Sequence, residues 1–91
     1  MNKLWVVYMV ECNDGSLYTG VTTDISRRVQ AHNSGRGAKY TRSRRPVAVA
    51  YVSDGTTHGD ALREERRMKS LTRKQKLEII NDNPPGGLNG N

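Results

Sequence analysis

The sequence predicts a small α+β domain, because it combines strand-like and helix-like segments in a short chain. Ninety-one residues allow one domain with one modest core. Segments rich in β-branched and aromatic residues predict strands, and apolar residues at helical spacing predict helices. We expect one domain over residues 1–82 and a disordered tail over 83–91, which contains the run Pro84-Pro85-Gly86-Gly87. The expected strands are residues 4–12, 16–21 and 47–52, and the expected helices are residues 25–33, 60–71 and 72–81.

The first two strands flank an Asn-Asp-Gly turn, which predicts a β-hairpin. A two-residue turn would put Tyr8 and Tyr18 on opposite faces of the sheet. A three-residue loop with Gly15 in a left-handed conformation would put them on the same face, because side chains alternate along a strand. We adopt the three-residue loop, which pairs Tyr8 with Gly20. A glycine inside a strand needs a reason, and in this position it would leave room for a backbone phosphate.

The first helix carries an arginine and a histidine one turn apart. Asp24 supplies its N-cap. Ile25, Val29 and His32 form a stripe, so we expect His32 to be at least partly buried, with Arg28 at the border of the stripe. A core histidine bonded to a strand group is the plain interpretation. In the functional interpretation, His32 bonds a tyrosine hydroxyl and Arg28 binds a phosphate, which suits the guanidinium geometry.

Residues 35–45 form a polar segment that we expect to be a loop. The segment contains five cations and one tyrosine but no acidic residue. A solvated run of charge is the simplest interpretation, although cations beside an aromatic ring also suit phosphate contacts with one stacked base. The candidate nucleic-acid-binding residues are Arg36, Lys39, Tyr40, Arg42, Arg44 and Arg45.

The third strand and the last two helices complete the predicted fold. The third strand is an unbroken apolar run, which suggests that both of its faces are covered. A capping box, Thr72-x-x-Gln75, begins a separate last helix. The side chains that we expect to face inward from these two helices are Ala61, Leu62, Met68, Leu77 and Ile80.

Two neighbouring glutamates on the second helix are candidates for a functional role. Glu65 lies four residues after Ala61 and three before Met68, so it falls within the apolar face, whereas Glu64 lies at its edge. Counting Leu71 as part of this face makes the choice nearly even. A carboxylate among apolar groups is costly unless it is paired or metal-bound, and a salt bridge to an arginine is the alternative to a metal.

The composition favours an anionic partner. The net charge is +6, so nucleic acid is the first expectation and an anionic membrane surface the second. No apolar run approaches the ~20 residues that a membrane span needs. A hydrophobic fraction of 34% without phenylalanine argues against a large small-molecule cavity. Cys12 is the only cysteine, which excludes a disulfide framework and a cysteine-based zinc site and favours a reducing, cytoplasmic setting.

The ordered set of motifs resembles the GIY-YIG nuclease superfamily. Val6-Val7-Tyr8 and Tyr18-Thr19-Gly20 are similar to the two motifs that name it. Asp24-x-x-x-Arg28-x-x-x-His32 and Glu65-x-x-Met68-Lys69 are similar to the motifs that follow. The resemblance covers about residues 4–80 and is closest to the small stand-alone members.

This resemblance implies a three-stranded antiparallel sheet flanked by helices, with a divalent-metal phosphodiesterase site on one sheet face. By analogy, Tyr8 would be the general base, helped by His32. Tyr18 would orient the water or the phosphate, and Arg28 would stabilise the charged transition state. The resemblance also selects Glu65, as a single carboxylate that holds Mg²⁺, with Mn²⁺ as a substitute. These five side chains should line one concave patch.

Two departures from the family pattern matter. The first-motif glycine is Val6 and the second-motif isoleucine is Thr19, changes that we expect to affect packing rather than chemistry. Many members also place a late asparagine at the site. Asn81 is the only candidate here, and its spacing leaves that role unassigned.

The expected function is therefore a Mg²⁺-dependent endonuclease that acts on DNA in repair, processing or recombination. A non-catalytic nucleic-acid-binding module and a recruitment subunit with the same fold are the alternatives. The presence of all five site residues argues against both, since a pure binder needs neither a base nor a metal carboxylate. The sequence leaves open whether the DNA is single-stranded, duplex or branched, and whether the chain is a monomer or a weak dimer.

Overall fold

A three-stranded antiparallel sheet with the first strand in the middle organises the fold. The structure, a computed structural model, describes residues 3–83. The strands are β1 (Val6–Glu11), β2 (Leu17–Thr22) and β3 (Ala48–Val52), in the order β2-β1-β3. The helices are α1 (Ile25–Asn33), α2 (Lys39–Arg42), α3 (His58–Lys69) and α4 (Arg73–Asp82). The predicted α+β class and antiparallel sheet are confirmed, whereas the predicted disordered tail lies outside the described residues except at Asn83.

The β1–β2 hairpin has the predicted three-residue loop. The backbone hydrogen bond that closes the hairpin leaves residues 13–15 as the loop. Gly15 has a φ of 84°, in the left-handed region. The register pairs Tyr8 with Gly20. Tyr18 therefore lies on the same face as Tyr8, as expected from the alternation of side chains along a strand.

Alternation along β1 also divides the core into two clusters, one on each face of the sheet. One cluster packs against α3 and α4, and the other packs against α1. Tyr51 contacts the first cluster and Val52 the second, so both faces of β3 are covered, as predicted. The buried members of the first cluster are Val7, Met9, Ala61 and Met68; those of the second are Tyr8, Val10, Cys12 and Val47.

The segment between α1 and β3 is more ordered than the predicted loop. Lys39–Arg42 form the single-turn helix α2, which the sequence pattern did not predict. The turn is held by Thr41, whose side chain is buried and donates a hydrogen bond to the Ala38 carbonyl oxygen at 3.0 Å. The buried side chain of Thr41 thus anchors this cationic segment.

The helices α3 and α4 depart from the prediction in their bounds and in two side chains. Helix α3 begins two residues early, because Thr57 caps it by accepting a hydrogen bond from the Asp60 N–H at 3.2 Å. The capping box of α4 is confirmed. Leu62 and Leu77 were expected to face inward, but each is 38% exposed. Leu62 lies about 100° around the helix from Ala61. Ala61 packs in the core cluster between α3 and the sheet, whereas Leu62 lies outside it.

Within residues 3–83, no helix is long and apolar enough to cross a membrane.

Candidate active site

The hydroxyl of Tyr8 lies at the centre of a buried chain of hydrogen bonds. Its oxygen is 2.8 Å from His32 Nε2 and accepts a hydrogen bond from Arg28 Nε at 3.2 Å. On the other side of the imidazole, His32 Nδ1 is 2.8 Å from Thr41 Oγ1. Strand β1 therefore meets α1 and α2 through side-chain hydrogen bonds. The side chains of Tyr8, His32 and Thr41 have no solvent exposure.

Two glycines make room for this chain of hydrogen bonds. A Cβ on Gly20 would lie 2.6 Å from the Tyr8 hydroxyl oxygen, and a Cβ on Gly37 would overlap His32 Nδ1. The close approach of Tyr8 thus explains the glycine inside β2. The expectation that Gly20 leaves room for a phosphate is wrong, because the phenol of Tyr8 fills that space.

Aromatic rings connect the buried chain to the surface. The Tyr18 ring lies edge-on to His32 with centroids 5.4 Å apart, and Tyr40 stacks on Tyr18 with centroids 6.0 Å apart. The guanidinium carbon of Arg44 lies 4.0 Å from the Tyr40 ring centroid. Tyr18 is half-buried and Tyr40 is 40% exposed. A stack of side chains therefore leads from α2 to the imidazole.

The electrostatics favour a neutral phenol, a neutral imidazole and a charged guanidinium. Burial raises the pKa of Tyr8, and the hydrogen bond from Arg28 opposes that rise. Burial lowers the pKa of His32, and the positive charge of Arg28 lowers it further. The hydrogen bond to Tyr8 raises the pKa of Arg28, with a smaller contribution from Tyr18. The charged Arg28 guanidinium thus lies beside the Tyr8 hydroxyl, to which its Nε donates at 3.2 Å.

The two glutamates of α3 have different surroundings. Glu64 accepts two hydrogen bonds from the Arg67 guanidinium, at 3.0 and 2.5 Å. The pKa of Tyr51 is raised mainly by burial and then by the charge of Glu64, whereas Glu65 contributes to the raised pKa of Tyr8, which is also mainly due to burial. The charge of Glu65 thus acts on Tyr8 and that of Glu64 on Tyr51, while α3 itself packs on the Tyr51 face of the sheet.

The Glu65 carboxylate fits a hydrated cation better than a protein cage. Its side chain is 19% exposed, and the Lys69 ammonium lies 3.2 Å from it, so a positive charge already neutralises it. Within residues 3–83, no group of three or more His, Cys, Asp and Glu side chains could hold a metal ion. Mg²⁺ commonly uses one or two carboxylates together with waters and substrate oxygens, so a single glutamate is compatible with it.

Five side chains were expected to line one concave patch. In the structure the Tyr8 hydroxyl contacts Arg28 and His32, and the Tyr18 ring lies edge-on to His32. Tyr18, Arg28 and Glu65 are half-buried and reach the surface. Tyr8 and His32 are fully buried. The expectation that all five side chains line one concave patch is therefore wrong for these two residues.

A family model identifies the chain. The model of the GIY-YIG catalytic domain matches residues 4–78. The chain belongs to the GIY-YIG family. This membership implies a nuclease-type activity, and GIY-YIG nucleases act on DNA.

Several relatives and two solved structures also match most of the chain. A UPF0213 protein of Staphylococcus epidermidis is 53% identical over 76 residues, which cover 84% of this chain and 93% of the relative. A UPF0213 protein of Haloquadratum walsbyi is 49% identical over 82 residues, covering 90% and 92%. The solution NMR structure of a UPF0213 protein from Bacillus halodurans has a TM-score of 0.57 and 41% identity, covering 89% and 87% of the two chains. A second NMR structure, of a protein from E. faecalis, has a TM-score of 0.60 and 41% identity, covering 89% and 86%.

The five cations among the six candidate nucleic-acid-binding residues of this GIY-YIG domain fall into two groups. Arg44 forms an ion pair with Asp14 at 3.0 Å and donates to the Tyr40 carbonyl oxygen at 2.8 Å. Arg45 donates to the Asn33 carbonyl oxygen at 3.3 Å. Both arginines therefore hold the segment in place. The remaining three cations have exposed side chains: Arg36, Lys39 and Arg42.

Thr41 was missed by the sequence patterns, and Asn81 was left unassigned. Thr41 is an uncharged β-branched residue in the middle of a cationic run, and that contrast was the available signal. Asn81 is exposed near the end of α4, a helix whose Ile79 and Ile80 pack against the cluster on the other sheet face. The structure therefore does not bring Asn81 to Tyr8.

Proposed function

We propose that the protein is a Mg²⁺-dependent endonuclease that hydrolyses phosphodiester bonds in DNA. The observation that carries the proposal is the Tyr8 hydroxyl oxygen, which lies within hydrogen-bond distance of both His32 Nε2 and Arg28 Nε. A phenol held between a neutral base and a fixed cation can take up a proton and release its own. The GIY-YIG membership and the net charge of +6 support the same activity.

The proposed proton path runs from water through Tyr8 to His32. Hydrolysis forms a bond from the water oxygen to phosphorus and breaks one bond from phosphorus to an ester oxygen. Tyr8 takes the proton that the water loses and passes its own proton to His32 Nε2, and the displaced ester oxygen takes a proton from solvent. Because burial raises the pKa of Tyr8, a stable phenolate is disfavoured at neutral pH. The transfer to His32 therefore accompanies the attack, and the Arg28 guanidinium stabilises the negative charge that develops on the phosphate.

Access to Tyr8 requires a side chain to move, since Tyr8 is fully buried. Arg28 is half-buried and caps the hydroxyl through a hydrogen bond of 3.2 Å. We expect its long side chain to exchange this contact for a phosphate oxygen, because a guanidinium binds phosphate in a fork geometry. The movement would open the hydroxyl to the attacking water.

Glu65 is the residue that we propose as the Mg²⁺ ligand. Its carboxylate would exchange the Lys69 ammonium for the ion, and this would free Lys69 to approach a phosphate. The bound ion would supply electrostatic stabilisation of the charge that develops on the phosphate oxygens.

The DNA path that we propose follows α2. Arg36, Lys39 and Arg42 offer exposed charge, and Tyr40 offers a ring for one base. We place this activity in the cytoplasm, because a lone buried cysteine suits a reducing compartment. The role that we propose for it is DNA repair, processing or recombination.

A second candidate function is DNA binding without cleavage, which the complete burial of Tyr8 and His32 favours. Incubation of the purified protein with labelled single-stranded, duplex and forked DNA, in Mg²⁺, Mn²⁺ or EDTA, separates the two functions. The endonuclease cuts at least one substrate with a metal and none in EDTA, and Glu65→Ala does not cut. Binding to DNA without cutting under every condition would support the second function.

A further inference from the structure

The Thr41 hydroxyl bridges the catalytic histidine and a backbone carbonyl. Thr41 Oγ1 is 3.0 Å from the Ala38 carbonyl oxygen and 2.8 Å from His32 Nδ1. A carbonyl oxygen can only accept a hydrogen bond, so the single proton of the hydroxyl points to Ala38. In its contact with His32, Thr41 Oγ1 is therefore the hydrogen-bond acceptor. His32 Nδ1 must then be the donor and must carry a proton.

The opposite side of the imidazole selects the same arrangement. The Tyr8 oxygen already accepts a hydrogen bond from Arg28 Nε, and its own proton lies within reach of His32 Nε2 at 2.8 Å. If Nε2 carried the proton instead, the Tyr8 oxygen would receive two donors. Its own proton would then have no acceptor among the hydrogen bonds of the described residues. A neutral His32, favoured by its lowered pKa, can hold one proton only, on Nδ1.

We propose that Thr41 is a positioning residue that keeps the His32 proton on Nδ1, which leaves Nε2 free to accept the proton of Tyr8. The role in proton transfer rests on the proposed function, whereas the tautomer itself does not. Thr41 lies in α2 between the exposed residues Tyr40 and Arg42. The short helix proposed to bind DNA thus also sets the chemistry of the buried imidazole.

Two substitutions separate the hydroxyl of Thr41 from its bulk. Thr41→Val keeps the shape and removes the hydroxyl, whereas Thr41→Ser keeps the hydroxyl and removes a methyl group. If Thr41 only fills space in the core, Val should preserve activity better than Ser. If Thr41 positions His32, Ser should preserve activity and Val should lower kcat by roughly 100-fold, the lower end of a general acid–base contribution. The comparison uses kcat at saturating DNA, because Thr41 also holds the turn of α2 and its substitution can change DNA affinity.

The direct test is the ¹⁵N NMR spectrum of the histidine rings, whose nitrogen shifts distinguish the two neutral tautomers. The chain contains two histidines, and His58→Gln assigns their signals. The exposed His58 stacks on Trp5 and is the internal control. We expect His32 to be protonated on Nδ1 in the parent protein and in Thr41→Ser, and to shift toward Nε2 protonation in Thr41→Val, while the His58 signals stay unchanged.

Each outcome decides one of the two proposals. Nε2 protonation of His32 in the parent protein, or unchanged Nδ1 protonation in Thr41→Val, overturns the positioning role whatever the nuclease assay gives. If the tautomer changes as expected but the parent protein cuts no DNA, the endonuclease function fails and the assignment of the tautomer stands. If Thr41→Val does not fold, the spectrum of the parent protein still tests the tautomer.

Discussion

The phenol of Tyr8 lies directly over Gly20, so that a Cβ at that position would be 2.6 Å from the hydroxyl oxygen. The two residues are also cross-strand partners in the β1–β2 hairpin. Register and close approach together direct the Tyr8 hydroxyl toward His32 in α1. A single methyl group in β2 would therefore displace the group that we propose as the general base.

Gly20→Ala should lower both stability and activity. Overpacking a filled site typically costs about 1–3 kcal/mol in the free energy of unfolding, and urea denaturation measures it. Gly59→Ala is the control, because a Cβ there would come no closer than 3.9 Å to a neighbouring side chain. Alanine is also the better helix former, so the control should be neutral or stabilising. Equal stability of Gly20→Ala and the parent protein would contradict the filled space above Gly20.

Thr19→Val should stabilise the protein. Thr19 is 4% exposed, and its hydroxyl has no hydrogen-bond partner among the described residues. An unsatisfied buried polar group costs about 1–3 kcal/mol, and valine removes it with little change of shape. Thr41→Val is the matched comparison and should destabilise, since the Thr41 hydroxyl is bonded on both sides. A loss of stability in Thr19→Val would mean that its hydroxyl has a partner in solution.

The hairpin and the residues on the site face could be predicted because they depend on local sequence. Once the Asn-Asp-Gly turn is taken as a three-residue loop, the alternation along two strands puts Tyr8 and Tyr18 on one face. Helix α2 could not be predicted, because its one turn is anchored by contacts of Thr41 with His32, nine residues away in sequence. The ion pair between Arg44, just after this helix, and Asp14 spans thirty residues.

The exposure of two leucines shows a different limit of the sequence. Apolar periodicity predicts which side chains share a helix face, but it does not show how wide a strip of that face the sheet covers. Leu62 and Leu77 lie outside the covered strip. The burial of Tyr8 and His32 was underestimated for the same kind of reason, since α2 and Tyr18 cover them from other parts of the chain.

Stability should fall on mild acidification through His32. Its pKa is lowered in the folded state by burial and by Arg28, so the unfolded chain takes up a proton first as the pH falls. The contribution of His32 is fully present above the ordinary histidine pKa of about 6.5 and is lost as the pH falls toward the lower folded pKa. We expect His32→Gln to flatten the dependence of the unfolding free energy on pH between about pH 7.5 and 5.5. A pH dependence in His32→Gln equal to that of the parent protein would contradict the assignment to His32.

Salt dependence of DNA binding tests the exposed cations of α2. Replacing Lys39 and Arg42 together with alanine should weaken binding to duplex DNA and reduce the log–log salt slope by roughly 1.8, at about 0.9 for each phosphate that the variant no longer neutralises. The control replaces Arg63 and Arg66 of α3, which removes the same charge from exposed positions. Lys39 and Arg42 are chosen for replacement rather than Arg44 and Arg45, because Arg44 and Arg45 also hold the segment in place. An unchanged slope would move the DNA path to another surface, such as Arg73, Lys74 and Lys76.

The central claim is that the Tyr8 hydroxyl is the base of a metal-dependent nuclease whose ligand is Glu65. Tyr8→Phe keeps the ring and removes the oxygen that contacts His32 and Arg28. Tyr51→Phe is its matched control, because Tyr51 is a half-buried strand tyrosine that packs on the opposite face. Glu65→Ala has its own control in Glu64→Ala, one residue away and paired with Arg67.

The most direct measurement is the single-turnover rate of DNA cleavage in Mg²⁺ for these four variants, together with their DNA affinities. We expect Tyr8→Phe to be slower by at least about 100-fold and Glu65→Ala to lose metal-dependent cutting, with DNA still bound. Tyr51→Phe and Glu64→Ala should cut nearly as fast as the parent protein. Cleavage by Tyr8→Phe at the parental rate would contradict the role of Tyr8 as the base, and an inactive Glu64→Ala beside an active Glu65→Ala would contradict the facing of α3.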